Sequence, residues 1–399
     1  MPAGFKPPVT KENSAPLFGF DPGGRTRVSQ ITTLGDYKMV GVDKPLLFSD
    51  AGTGTGAWAN NKFTMSVAGS QYYIRESKRR HPYFSGKGQL AEITFDSFGH
   101  EAGITKRVGY FSSSTVAPYT ASLDGFWLES DGTEYYIRAY RNGTQVISVP
   151  TQGWDNWSEV QEYNFEMFSV IAFDFLWLGG AVLRFWLKTK EGFVLVHSEH
   201  YSGTQEDTFI LSPMQPLRVE IRAANAGGQM RFICGQVATE GSIEESGVSG
   251  AVNTGATGIN FAAVGTVYPL IAVRKKTTRL DAVVRLIDLA IDVASAADRL
   301  LWTLQINPTL SAGLTYADVT NYAIQVASGD GTITVTAPGT ILASGFLSTG
   351  GIVPPDTLKT NFLAWLGQTI GGVMDQYVLC VTPITVNVAA HGALTVKEY

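Results

Sequence analysis

Two histidines flank a carboxylate in His197-Ser198-Glu199-His200, the most enzyme-like grouping in the 399-residue chain. Imidazole and carboxylate together could hold a metal ion or pass a proton. A zinc-binding helix, however, spaces its histidines as His-Glu-x-x-His, so that both lie on one face. Here they stand closer, after Phe193-Val194-Leu195-Val196, a β-type apolar run that follows the turn residues Lys190-Glu191-Gly192. That pattern predicts a strand. Its alternation places His197 and Glu199 on one face and His200 on the other. The expectation is the polar end of a strand leaving the core, with no metal centre and no cofactor.

Other chemical signatures fall short. Gly52-Thr53-Gly54-Thr55-Gly56 has the glycines of a phosphate loop, but Ala57 and Trp58 follow where Gly-Lys-Ser/Thr is required. It reads as a flexible turn. The Gly-x-Ser-x-Gly elbow of serine hydrolases does not occur. Glu129 with Asp131, or Glu220 with Asp174, offers paired carboxylates of the kind that hydrolyse glycosides. Such pairs are defined by their separation in space rather than in sequence. A glycan-degrading enzyme is therefore the weakest of three readings, and the chain is expected not to be an enzyme.

Two clusters suggest contact rather than catalysis. Arg75-Glu76-Ser77-Lys78-Arg79-Arg80-His81 is the one concentrated basic run, with Tyr72, Tyr73, Tyr83 and Phe84 beside it. Cations next to aromatic rings can hold single-stranded nucleic acid. A solvated strand end, or a subunit contact of Arg75, Lys78, Arg79 and Arg80 with acids such as Glu240, Glu244 and Glu245, is the favoured alternative. In Trp154-Asp155-Asn156-Trp157 two indoles sit beside hydrogen-bonding residues in a turn, which makes Trp154 and Trp157 candidate contacts for a glycan.

The elements that must position these residues are β. Hydrophobic residues make up 44%, enough for a sizeable core, and more naturally for two cores than one. Charged residues are only 16% and the net charge is −5, so no general attraction to nucleic acid or to an anionic membrane is expected. Forty-three glycines with 11% aromatic residues suit strands joined by tight turns. The two cysteines, Cys234 and Cys380, lie in apolar strand-like runs where a thiol packs as a small hydrophobe, which fits assembly in a reducing cytoplasm. There is no apolar run of about 18 residues to span a membrane as a helix. The opening residues lack the basic-then-apolar pattern of an export signal.

Along the chain, residues 1–50 are rich in Pro and Gly and read as an extended N-terminal arm, of the sort held by a neighbouring subunit. Residues 51–240 carry a strand every 8–12 residues, as a sandwich or jelly roll does. Within them, Ile171, Phe173, Phe175 and Trp177 alternate with Val170, Ala172 and Asp174, so this strand is expected to be central and covered on both faces. Residues 241–258, dense in Gly, Ser and Glu, read as a linker. Residues 259–399 read as a second β-sandwich. There Ile287, Leu289, Ile291 and Val293 alternate with Asp288, Ala290 and Asp292, and Trp302, Leu304 and Ile306 with Thr303 and Gln305. A period of two favours two strands over one long helix. A single short helix is expected at Thr357 to Leu366. The fold class is all-β: two β-sandwich or jelly-roll-like domains and an arm.

The order of short blocks is informative. Ser77-Lys78-Arg79-Arg80, Tyr83-Phe84-Ser85-Gly86-Lys87 and Lys106-Arg107-Val108-Gly109-Tyr110-Phe111 come first, then Gly125-Phe126-Trp127-Leu128-Glu129 and Asp174-Phe175-Leu176-Trp177-Leu178-Gly179. His197 to His200, Pro216-Leu217-Arg218-Val219-Glu220-Ile221 and Cys234-Gly235-Gln236-Val237 follow, with Pro269-Leu270-Ile271-Ala272-Val273-Arg274 and Asn307-Pro308-Thr309-Leu310 in the second region. This succession, over about residues 60 to 399, resembles a set of uncharacterised structural proteins of tailed bacteriophages. The resemblance implies a virion component and supplies no catalytic residues.

The leading expectation is a structural subunit of a phage particle, in its tail, a fibre or another appendage. It would be assembled in the host cytoplasm, pair with copies of itself as a homotrimer and contact other virion proteins. The alternative is a capsid-decorating protein, or a carbohydrate-binding receptor module facing a host surface glycan. Neither reading calls for nucleic acid binding or membrane insertion.

Overall fold

The structure is a computed structural model and describes residues 21–22, 30–113, 123–177, 182–243, 247–293, 299–348 and 365–399. It divides into two compact units, Met1–Glu244 and Glu245–Tyr399, and both are built of antiparallel strands. Among the described residues, α-helix is confined to Trp157–Val160.

The first unit holds two sheets. One has eight strands: Gly192–His200, Val182–Thr189, Ser169–Leu176, Gln89–Asp96, Gly228–Glu240, Lys62–Val67 and Thr55–Ala59 in spatial order, with Ile31–Lys38 also paired to Gly228–Glu240. The other has seven: Thr144–Pro150, Tyr135–Arg141, Leu123–Ser130, Ile104–Ser113, Leu217–Ala223, Tyr72–Ser77 and Phe48–Gly52. Aromatic rings fill the space between them. Phe126 of the seven-stranded sheet meets Phe175 at 5.1 Å and Phe173 at 5.4 Å on the eight-stranded one, and Tyr110 meets Phe175 at 5.6 Å. Edge-to-face and tilted packing of this kind adds to the burial of the rings themselves.

The strand Ser169–Leu176 matches its alternation. Ile171, Phe173 and Phe175 are buried on the inter-sheet side, while Ala172 packs with Leu90 and Trp186 on the other. Asp174 is tolerated on that second face because Arg184, its cross-strand partner, forms an ion pair with it.

The expectation of an arm over residues 1–50 fails for residues 31–50. Ile31–Lys38 and Phe48–Gly52 are strands of the first unit, so residues 31–50 belong to its core-forming part. Leu34, Tyr37, Met39 and Phe48 are buried, and burying them is what holds the segment in place. Residues 1–20 and 23–29 lie outside the described residues.

The second unit is a smaller sandwich. In its four-stranded sheet Val388–Glu398 is central and pairs with Val248–Asn253, Ile259–Phe261 and Val284–Val293. Its six-stranded sheet runs Ala317–Asp318, Ile324–Ser328, Tyr268–Lys275, Tyr377–Pro383, Arg299–Ile306 and Thr340–Ser348. Leu286, Ile291, Leu300, Trp302, Leu379 and Leu394 are among the buried residues of one cluster drawn from both sheets. Cys380 packs with Ala272 and Val378 as a small hydrophobe, and burial pushes its thiol up to about 12.

The boundary between units falls inside the expected linker, yet Val248–Asn253 within that linker is a strand. The helix-or-strand question at residues 284–306 resolves to two strands, Val284–Val293 and Arg299–Ile306, which lie in different sheets. A bulge between Leu286 and Asp288 shifts the alternation, so Leu286 is buried and Ile287 only half-buried. The helix expected at Thr357 to Leu366 falls largely outside the described residues; Trp365, at its end, forms an isolated bridge with Arg285.

Candidate functional site

His197 and Glu199 do share a face at the edge of the eight-stranded sheet. The His197 ring lies between two carboxylates, with Nε2 3.0 Å from Glu199 Oε1 and Nδ1 3.2 Å from Asp155 Oδ2. Asp155 also accepts from the Ser198 amide at 3.0 Å, and Asn156 Nδ2 donates to Leu195 O at 2.7 Å. These bonds pin the Trp154–Trp157 turn to the strand. His200 stands on the other face, near Ser198. Among the described residues no group of three or more His, Cys, Asp or Glu could hold a metal ion. The cluster is a clamp.

The basic run is turned inward. Arg75 is fully buried: Nη1 donates to both Asp50 oxygens at 3.0 and 2.8 Å, and Nη2 pairs with Asp43. Its guanidinium lies 3.6 Å from the Phe63 ring centroid and 4.3 Å from that of Phe48. This corrects the reading of Arg75 as a subunit contact. Tyr72–Ser77 is an interior strand, and the phase of Arg75 aims it between the sheets. Arg79 is buried as well. Arg80 and Lys78 are half-buried, and Arg80 donates to Met214 O at 2.9 Å and Gln215 Oε1 at 3.0 Å.

Trp154 is also buried, and its Nε1 donates to Val149 O at 3.2 Å. Trp157 is half-buried and stands perpendicular to it, at 89° and 5.8 Å between centroids. Two perpendicular indoles, one of them covered, give no common stacking surface. The glycan contact expected of Trp154 is thus corrected to a packing role.

The polar feature that sequence reasoning missed crosses the seven-stranded sheet. Arg138 Nε donates to Glu129 Oε1 at 2.8 Å, and Arg107 Nε to Glu129 Oε2 at 2.7 Å. Arg107 Nη1 reaches Glu220 Oε1 at 3.0 Å. Arg218 then binds Glu220 Oε2 from Nε and Nη2, at 2.9 and 2.8 Å, and Glu76 Oε2 from Nη1 at 2.8 Å. Charge alternates strictly along this ladder of five neighbouring strands.

Register explains its placement. Glu220, Arg107 and Glu129 are directly cross-strand, as are Arg218, Gly109 and Trp127, so all share the face turned away from the inter-sheet core. Phe111, Trp127 and Tyr140 line the same face, and Trp127 Nε1 donates to Glu129 Oε2 at 3.1 Å. Gly109 makes room for the indole: a Cβ there would come within 2.5 Å of Trp127 Cβ.

The ladder also answers the paired-carboxylate question. Glu129 and Glu220 do converge, but on Arg107, and both oxygens of each carboxylate already accept from a guanidinium. Neither is placed to give a proton to a leaving group or to attack a sugar carbon. Asp131 instead caps a turn, accepting from the Thr133 amide at 2.8 Å and the Glu134 amide at 2.9 Å, and Asp174 pairs with Arg184.

No family model matches this chain, and no curated protein matches its sequence. Solved structures similar to it include a β-glucanase of Bacillus licheniformis, at 11% identity and a TM-score of 0.35, covering 54% of this chain and 100% of that one. The carbohydrate recognition domain of Emp47p is similar at 10% identity and 0.36, over 53% of this chain and 98% of the other. A lectin from Bauhinia forficata in complex with GalNAc is similar at 7% and 0.33, over 54% and 100%.

Proposed function

We propose that this chain is a structural protein that acts by assembling with copies of itself, as a homotrimer, and with other proteins of a tailed-bacteriophage particle, in its tail, a fibre or another appendage. The observation that carries the reading is an apolar edge strand with exposed side chains in the second unit. Thr340–Ser348 ends the six-stranded sheet and, among the described residues, pairs only with Arg299–Ile306. Its sequence, TILASGFLS, has no charge and no proline. Ile341 is 52% exposed and Phe346 78%.

Edge strands invite pairing with another chain, and soluble proteins guard them with lysine, proline or bulges. Apart from one bulge at Leu342, this edge carries none of these guards. An apolar edge strand with Ile341 and Phe346 exposed suits a surface that becomes covered on assembly. The arginine-braced carboxylates of the first unit support a structural role over a hydrolytic one, and the resemblance to phage structural proteins supports the virion as the setting.

Sedimentation velocity on the full chain, 43.0 kDa, tests the assembly. The wild type is expected to sediment as a trimer and Phe346→Lys as a monomer of unchanged circular dichroism. A wild-type chain that sediments as a monomer would overturn the reading.

A further inference from the structure

A cleft on the first unit, distinct from the ladder and from the apolar edge strand, lies where Thr144–Pro150 meets the segment following Gly192–His200. It is a half-open cleft of ≈ 310 Å³ lined by Arg141, Thr144, Val146, Tyr201, Gln205 and Asp207 among others. We infer that this cleft binds a single neutral sugar ring, holding a pair of adjacent hydroxyls on Arg141 and Asp207 and the apolar face of the ring against Tyr201. The inference goes beyond the assembly reading and does not depend on it.

Charge comes first. Arg141 Nη1 lies 2.8 Å from Asp207 Oδ2, so the cleft offers a cation and an anion side by side. An anionic ligand would meet Asp207 and a cationic one Arg141. A diol suits both, because one hydroxyl oxygen can accept from the guanidinium while its neighbour donates to the carboxylate. Asp207 is accessible for this, with its side chain 70% exposed.

Arg141 is itself partly accessible, with its side chain 33% exposed, so its guanidinium can reach a ligand hydroxyl without leaving Asp207.

The apolar side is Tyr201, half-buried and held edge-on to Phe209 at 5.7 Å, with Val146 beside it, 36% exposed. An aromatic ring fixed by its neighbours gives a C–H-rich sugar face a preformed surface. The cavity is at the small end of ligand pockets, which run to about 300–1,000 Å³, so it takes one ring rather than an extended chain.

Saturation-transfer NMR on the full wild-type chain tests this, with the methyl glycosides of glucose, mannose and galactose and with N-acetylglucosamine as probes. Transfer to the ring protons of at least one sugar is expected. Asp207→Ala should weaken it about tenfold, the worth of one hydrogen bond to a charged group. Asp207 is exposed, so this variant folds, and Tyr201→Phe should retain binding because the ring remains. Absence of transfer to all four sugars, or transfer unchanged in Asp207→Ala, would overturn the inference.

Discussion

Arg107 donates to Glu220 across 3.0 Å, although 113 residues separate them in sequence. Both are buried, and this bond joins two halves of an alternating ladder that spans five strands. Removing Glu220 leaves Arg107 with Glu129 alone and Arg218 with Glu76 alone, so the buried ladder carries one uncompensated positive charge, which costs about 3–5 kcal/mol. Glu220→Gln is therefore expected to lower the stability of the first unit by that amount in chemical denaturation. A loss below about 1 kcal/mol, typical of surface pairs, would contradict the burial.

His81 is the clearest source of pH dependence. Burial, with a smaller contribution from the nearby Arg79 and Arg80 charges, holds its pKa down at about 4, against an ordinary value of 6.5. Its Nδ1 lies 2.9 Å from Gln215 O and its Nε2 2.8 Å from the Tyr37 hydroxyl. A neutral ring that donates to the carbonyl and accepts from tyrosine satisfies both contacts. Because the folded pKa is depressed, the unfolded chain binds the extra proton first. Stability from this group is full above pH 6.5 and is lost as pH falls towards 4, on the order of 3 kcal/mol in all. Denaturation midpoints measured from pH 7 to 4 should fall more steeply in the wild type than in His81→Gln. Equal slopes would sink this assignment.

Trp154→Ala separates packing from recognition. Truncating a buried tryptophan costs about 3–5 kcal/mol, so the variant should melt early while any sugar binding by the folded fraction persists. A variant of unchanged stability that loses sugar binding would restore the glycan reading of this residue.

Gly109→Ala should also be destabilising, by about 1–3 kcal/mol, since its methyl would come within 2.3 Å of Phe126 O and 2.5 Å of Trp127 Cβ. Thermal melting and the near-ultraviolet circular dichroism of the indole report it. A melting point and a tryptophan spectrum matching the wild type would contradict the tight fit.

Strand alternation was readable wherever one face is apolar without interruption, as in Ile171, Phe173 and Phe175, or in Trp302, Leu304 and Ile306. It failed where a bulge shifts the phase. The break between Thr33 and Gly35 hides the Ile31–Lys38 strand, and the surrounding Pro and Gly made the segment look like a free arm. That misreading propagated to Arg75. Its partners Asp43 and Asp50 lie in the supposed arm, so a buried cation appeared to be an exposed one. The ladder was illegible for a different reason. Each of its charges looks like an isolated polar position on its own strand, and only the cross-strand register brings Glu76 to Arg218, 142 residues away.

The measurement that tests the central claim most directly is gold-antibody labelling of purified particles from the source lysate, viewed by electron microscopy. The account predicts gold along the tail, at its tip or on another appendage. Protein that fails to sediment with particles would contradict it, and gold confined to the head would replace the appendage with a capsid-decorating role.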